Sequence, residues 1–328
     1  MAKKVSLQMV ADEAGCSVGV VSAVLNKGGE GVIRTSMETQ KRVVMIARKL
    51  GLKSSYSPHR VGIYAQHIES ALPVAYSEVL SALVVQEAIK KGLAIETLSD
   101  EKLDPRLDAG LDGVIGVGWN KHLADLGGIP HFPVITINQP MLEKCIHSVS
   151  SDHEQQARLA TEYGIEKGHR RIAILETQPD TWGYNERVRG YKSALKSAGI
   201  SFDSVLIGHL DGHDMESVLR KWVGKGVTLV LNFPAQQGLE TVHTLTNVMG
   251  LNIGEDISII SLDDLPVFQY FHPPQTVIHQ SLDKLAEAAV SLMVRLIEDP
   301  EEHPKPANMD NIRFSAKIIE RASVKDLT

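Results

Sequence analysis

Val5-Ser-Leu-Gln-Met-Val-Ala-Asp-Glu-Ala-Gly-Cys-Ser-Val-Gly-Val-Val-Ser-Ala-Val-Leu-Asn26 holds two short apolar stripes separated by a glycine and a serine. Leu7, Val10, Ala11 and Ala14 stand at i, i+3, i+4 and i+7, the spacing that puts four side chains on one helix face. Ser6 is placed to cap that helix, since its hydroxyl can accept from a first-turn amide that has no partner within the helix. Gly15 ends the helix, Ser17 is the next cap, and Val20, Val21, Val24 and Leu25 form the buried face of a second helix. Two helices joined this tightly must cross steeply. Farther on, Thr35 and Glu38 fit a capping box, and Val43, Ile46, Ala47 and Leu50 repeat the stripe in a third helix. Residues 1–50 therefore read as a small all-α head of helix-turn-helix type.

Charge sets this head apart from the rest of the chain. Residues 1–60 hold 10 Lys+Arg against 4 Asp+Glu, a balance of +6; the totals are 34 and 40, which leaves 24 against 36, or −12, for the remainder. A basic head on an acidic body directs contact with a phosphate backbone to one end of the molecule. An ordinary solvated surface would carry the same charges, and charge alone does not separate the two readings. In helix-turn-helix geometry the second helix lies in the major groove, so Ser17, Val18, Gly19 and Ser22 are expected to meet base edges. Lys3, Lys4, Lys27, Arg34, Lys41 and Arg42 are candidates for phosphate contacts, which fix register without reading sequence. Ser6 and Asn26 complete the expected DNA-contacting set. A three-helix unit of this size can also serve protein contacts, and at this point that reading stays open.

The stretch quoted above closely resembles the opening of the lactose/galactose repressor family, whose recognition helix ends in a similar Val-Ser-x-Val-Leu-Asn. The resemblance implies an operator of double-stranded DNA and a homodimer, because one short helix reads too few base pairs. Two departures are visible. Ala23 stands where the family often has an Arg reaching the groove, so base readout must differ. The linker, residues 51–60, is short, polar and contains Pro58, and is not expected to fold into the family's hinge helix.

At 328 residues and 43% apolar content the chain is long enough for two or three domains. From residue 60 onward, apolar runs alternate with amphipathic stretches, the mark of βαβ units around parallel sheets. Strands are expected at 61–65, 93–96, 113–117, 134–138, 171–175, 229–232 and 258–262, with helices including 77–91, 154–167, 187–198, 215–224 and 236–249. Seven or more strands over this length suggest an α/β body of two doubly wound parallel-sheet lobes, with ligands held beyond the strands' carboxyl ends.

The body again resembles the sensor domain of the same family, which is similar in fold to periplasmic sugar-binding proteins. The resemblance rests on Leu111-Asp-Gly-Val-Ile-Gly116, Gly168-His-Arg-Arg-Ile-Ala173, Arg187-Val-Arg-Gly-Tyr191, Asp256-Ile-Ser-Ile-Ile-Ser-Leu-Asp-Asp264 and Pro273-Pro-Gln-Thr-Val-Ile-His-Gln280, all in order. It implies lobes of periplasmic-binding-protein type, one from 61–150 and 283–312, the other from 151–282 and 313–328. It further implies a small sugar-like effector, contacted by Arg187, Asn232, Asp263 and Gln280. Sugar recognition wants bidentate donors, acceptors and aromatic faces in a mostly dry cleft. Asp152, which follows a strand position, and the aromatic residues Trp119, Trp182 and Phe233 join the expected effector set. The alternative for Asp263 and Asp264 is capping of the next turn, and for Arg187 an ion pair with Glu186 or a neighbouring residue. Where the family usually has Asn-Asp, this chain has Asn232-Phe-Pro234, a ring and a rigid φ in place of a carboxylate.

Other chemistries find little footing. Cys16 and Cys145 are too few for a disulfide framework, and the histidines lack paired zinc spacing. No phosphate loop or hydrolase nucleophile elbow is present, so neither an enzyme, a cofactor nor a metal is expected. The start passes straight into an amphipathic pattern and no run approaches membrane-span length, so the expectation is a cytoplasmic protein without membrane attachment. A sugar-binding sensor whose head does not read DNA remains the alternative to a repressor.

Overall fold

The computed structural model describes residues 5–25, 35–50, 52, 59–65, 76–98, 110–118, 121–176, 181–208, 214–299 and 304–328. Helix α1 (Leu7–Ala14) starts where Ser6 accepts a hydrogen bond from the Met9 amide, and it stops at Gly15, whose φ of +64° suits glycine. Helix α2 (Val18–Leu25) follows at a bend of 110°. Helix α3 (Met37–Lys49) completes the head, and Val10, Ala11, Ala14, Val21, Val43, Ile46 and Ala47 form its core. The expected Thr35/Glu38 capping box does not form. Ser36 takes the capping position, accepting from the Thr39 amide at 3.2 Å, which moves Glu38 into the first turn, where its charge meets the helix dipole.

The body begins with β1 (Arg60–Ala65), α4 (Tyr76–Lys90), β2 (Ala94–Leu98), β3 (Gly113–Val117), β4 (Val134–Ile137) and β5 (His147–Ser151). Next come α5 (His153–Glu166), β6 (Ile172–Glu176), α6 (Trp182–Ser197), β7 (Ile207–Gly208), α7 (Met215–Gly224), β8 (Leu229–Phe233), α8 (Ala235–His243), β9 (Ser258–Ser261) and β10 (Thr276–His279). The chain closes with α9 (Leu282–Glu298), β11 (Asn311–Phe314) and β12 (Lys317–Ile319). One sheet has the order β11-β5-β4-β3-β1-β2 and the other β12-β10-β9-β8-β6-β7. Every pairing is parallel except β12 on β10. Strands β3 and β4 are buried on both faces, so their apolar runs are nearly continuous rather than alternating.

The chain passes between the sheets three times, at residues 152, 280–281 and 315–316. Residues 313 and 314, expected in the second lobe, therefore belong to the first sheet, where Phe314 pairs with Ser151. Hydrogen bonds lace two of the crossings together: the Asp152 amide donates to the Phe314 carbonyl at 2.9 Å and the Ala316 amide to Gln155 Oε1 at 2.8 Å. After the second crossing, α9 lays Leu285, Ala289, Val290 and Met293 against the first sheet.

Several boundaries differ from expectation for local reasons. The helix expected at 187–198 begins at Trp182, because Thr181 caps it by accepting from the Tyr184 amide. The helix expected at 236–249 ends at His243 and continues as a π-helical turn, Thr244–Val248. The strand expected at 134–138 stops at Ile137, since Asn138 turns to φ +60°. The strands expected at 93–96 and 171–175 lie at Ala94–Leu98 and Ile172–Glu176; β5 answers to the strand expected before Asp152, and β7, β10, β11 and β12 were not anticipated. No single helix among the described residues is long and apolar enough to cross a membrane.

Candidate effector cleft and DNA-reading head

Parallel sheets bind ligands beyond their carboxyl ends, and a connected polar cluster joins those ends of both sheets here. Asp263, just past β9, is fully buried, and its Oδ1 accepts from Gln280 Nε2 at 2.6 Å. Gln280, just past β10, accepts at Oε1 from the Tyr76 hydroxyl at 3.0 Å and from Ser151 Oγ at 2.7 Å. Asn138 Nδ2 donates to the Tyr76 oxygen at 2.6 Å, and Asn138 Oδ1 accepts from the Ser151 amide at 2.8 Å. Tyr76, Asn138 and Ser151 belong to the first lobe, so Gln280 ties them to Asp263 of the second. Burial, and next the Asp263 charge, push the Tyr76 hydroxyl far above its ordinary range and keep it a donor. Tyr76→Phe would orphan the half-buried Asn138 donor. Equilibrium denaturation is expected to show a loss of about 1–3 kcal/mol; an unchanged midpoint would mean the relay contributes nothing.

A second cluster surrounds Arg187, which the second turn of α6 points inward so that it is only 2% exposed. Its guanidinium carbon sits 3.2 Å from the centre of the Phe233 ring, a cation–π stack that fixes the plane of its donors. Gly183, one turn earlier, leaves room for it: a Cβ there would lie 3.0 Å from the guanidinium and 3.4 Å from the His153 ring. Burial keeps His153 neutral, its pKa well below the ordinary value, and the Arg187 charge adds to the effect. The His153 ring lies 5.1 Å from Trp182, and Trp182 in turn faces the Arg313 guanidinium at 5.4 Å. Glu186, the expected alternative partner of Arg187, pairs instead with Arg189 and Arg313. Asn232 Oδ1 accepts from Thr241 Oγ1 at 2.9 Å, while its Nδ2 is buried without a hydrogen-bond partner among the described residues.

The expected effector residues thus sort unevenly. Asp263 and Gln280 are hydrogen-bonded to each other, and Arg187 and Phe233 are stacked. Asn232 immediately precedes Phe233. Trp182 does not precede the helix of Arg187 but opens its first turn. Asp152 caps α5, the helix after the first crossing, accepting from the Gln155 amide at 2.9 Å. Trp119 lies outside the described residues. Tyr76, Asn138, Ser151 and His153 were not singled out from sequence. The one available signal was Asn138, a turn-forming residue directly after an apolar strand. Among the described residues no group of three or more His, Cys, Asp or Glu side chains could hold a metal ion. A concavity of about 500 Å3 lined by Asn252, Glu255, His272 and Pro273 lies at the other end of the second sheet, near the start of β9.

In the head, Ser6 and Ser17 both serve as caps, Ser17 accepting from the Val20 amide at 3.3 Å. Gly19 is exposed, Ser22 is half-buried, and Val18 is half-buried against the helical core. Asn26, Lys27 and Arg34 lie outside the described residues, as do Lys3, Lys4 and the linker positions 53–58. Arg42 is exposed on α3.

Residues 161–324 match the family of periplasmic binding protein-like domains, half of the chain. A relative named HTH-type transcriptional repressor PurR, from Vibrio atlanticus, is 30% identical over 185 residues, 55% of this chain and 53% of that protein. The chain thus spans about half the length of that relative. Among solved structures, a transcriptional regulator CelR in complex with cellobiose superposes with a TM-score of 0.67 at 22% identity, covering 97% of this chain and 99% of that one. The lac repressor dimer bound to operator and an anti-inducer superposes with a TM-score of 0.65 at 20% identity, covering 98% and 99%. Both likenesses are ones of fold. The chain belongs to the periplasmic binding protein-like family.

Proposed function

We propose that the chain is a sequence-specific DNA-binding transcriptional regulator, a repressor, controlled by a small sugar-like effector held between the lobes. The observation that carries this reading is the set of buried polar groups Arg187, Asn232, Asp263 and Gln280 in the second lobe, with Gln280 hydrogen-bonded across to Tyr76 and Ser151 of the first. A guanidinium of fixed plane, a carboxylate and an amide donor are the groups that vicinal hydroxyls require, and Phe233 and Trp182 supply apolar faces. The chain acts in the cytoplasm as a homodimer, with residues 1–50 as reader, 51–60 as linker and the remainder as sensor. Effector entry alters the lobe arrangement around Gln280 and so shifts the population of DNA-competent dimers.

The test is a gel shift of the full chain on genomic fragments, with and without a panel of mono- and disaccharides. Retardation that weakens steeply with salt and responds to one sugar is the expected result. A ligand-dependent rise in melting temperature without DNA affinity at low ionic strength would leave a sugar-binding sensor instead.

A further inference from the structure

Resting on the DNA-reading role just proposed, we infer that the recognition helix reads thymine through its C5-methyl group and makes no bidentate contact to guanine. Helix α2 is Val-Gly-Val-Val-Ser-Ala-Val-Leu, entered from Ser17. Val21 is buried, and Val18, Val20, Val24 and Leu25 lean on the head's core. Gly19, Ser22 and Ala23 stand at i, i+3 and i+4, away from that core, and with Ser17 they form the face left for a groove. Guanine is read bidentately by the donors of Arg and Lys, and adenine by the amide of Asn or Gln, whereas a serine hydroxyl meets either base and does not by itself choose between them. Residues 17–25 contain none of these four residue types. What they offer is the Ala23 methyl, the accessible edge of Val18 and two short hydroxyls. Apolar groups of this size are partners for the thymine methyl on the major-groove floor.

Gly19 supports the same reading by a separate route. Gly19 stands in the first turn of α2, where a glycine still costs up to about 1 kcal/mol relative to alanine, and its exposure leaves no internal packing to offset that. A missing side chain on the outward face lets the helix backbone come closer to a surface. Such an approach is what brings a short Ala23 and a recessed Val18 into methyl contact. The +6 balance of residues 1–60, with Arg42 exposed on α3, supplies a sequence-independent hold on the phosphates. Affinity is thus electrostatic, and discrimination comes from several weak apolar contacts repeated in two half-sites.

The experiment selects duplexes from a randomised library with the full chain at low ionic strength, then resynthesises the selected site with deoxyuridine for thymine, one position at a time. Each contacted thymine is expected to lose roughly fourfold in affinity as uracil, the equivalent of one buried methyl group, with losses accumulating across the half-site. Uracil outside the half-sites should change nothing. Ala23→Arg, whose side chain lies outside the head's core, should move the preference at one position from T·A to G·C while leaving the melting temperature unchanged. A selected site that keeps full affinity when every thymine is uracil overturns the inference and leaves the DNA-reading role intact. Failure to select any duplex overturns both.

Discussion

Arg187→Ala is expected to weaken effector binding by about hundredfold or more, because hydrogen bonds from a charged donor contribute about 1.5–3 kcal/mol each and a guanidinium can make two. The measurement is the melting-temperature shift produced by whichever saccharide stabilises the unaltered protein. Arg187→Lys keeps the charge and loses the fork, and it should recover only part of the affinity. A second readout distinguishes local from general damage: His153, held neutral by burial and by the Arg187 charge, should titrate at higher pH in the alanine variant, followed by NMR of its ring protons. Unchanged saccharide binding in Arg187→Ala would remove the cleft from the functional account.

The largest effect on stability is expected at Trp222. This side chain on α7 is 1% exposed and packs among Ala173, Leu175, Leu206, Leu219 and Val230. Its indole nitrogen donates to the Val205 carbonyl at 2.9 Å, and the ring fills the space over Gly208, where a Cβ would lie 2.5 Å away. Trp222→Ala is expected to cost about 3–5 kcal/mol, from lost burial together with the cavity left behind. Urea unfolding followed by circular dichroism checks this; a loss below about 1 kcal/mol would show that neighbouring side chains collapse into the space.

Periodicity made the head legible because it is built from local rules. Ser6, Gly15 and Ser17 cap and stop the helices at the positions their chemistry suggests. The error at α3 came from choosing between adjacent hydroxyls, Thr35 and Ser36, which only the turn geometry separates. In the body, strands such as β3 and β4 were legible as uninterrupted apolar runs. Strand β5 was anticipated only as the strand position before Asp152, because His147-Ser-Val-Ser-Ser151 carries no apolar run, yet all five residues are buried. Distant segments meet several of their polar groups: the Ser148 amide donates to the Asp310 carbonyl at 2.8 Å and the His147 ring meets the Asp310 side chain at 3.1 Å. Such partners have no local signature. The same holds for the cleft. Resemblance pointed to Arg187, Asp263 and Gln280, but the relay through Tyr76, Asn138 and Ser151 spans 204 positions between Tyr76 and Gln280. Asp152 looked like a ligand-facing carboxylate because it follows a strand, and it proved to be a helix cap, which is what an aspartate before a helix more often is.

The return of α9 and β11 to the first sheet bears on how the chain folds while it is being made. Translation runs from the amino end, and domains generally fold as units as they emerge. Residues 5–50 can close their small core early, since every helix it needs is adjacent in sequence. The first sheet cannot: its apolar face is only partly covered, by Leu80, Val84 and Ala88 of α4, until Leu285, Ala289 and Met293 have left the ribosome, after nearly all of the second sheet has been synthesised. A truncation anywhere before residue 282 should therefore leave a half-dressed sheet that chaperones must hold, however complete the segments upstream of the cut.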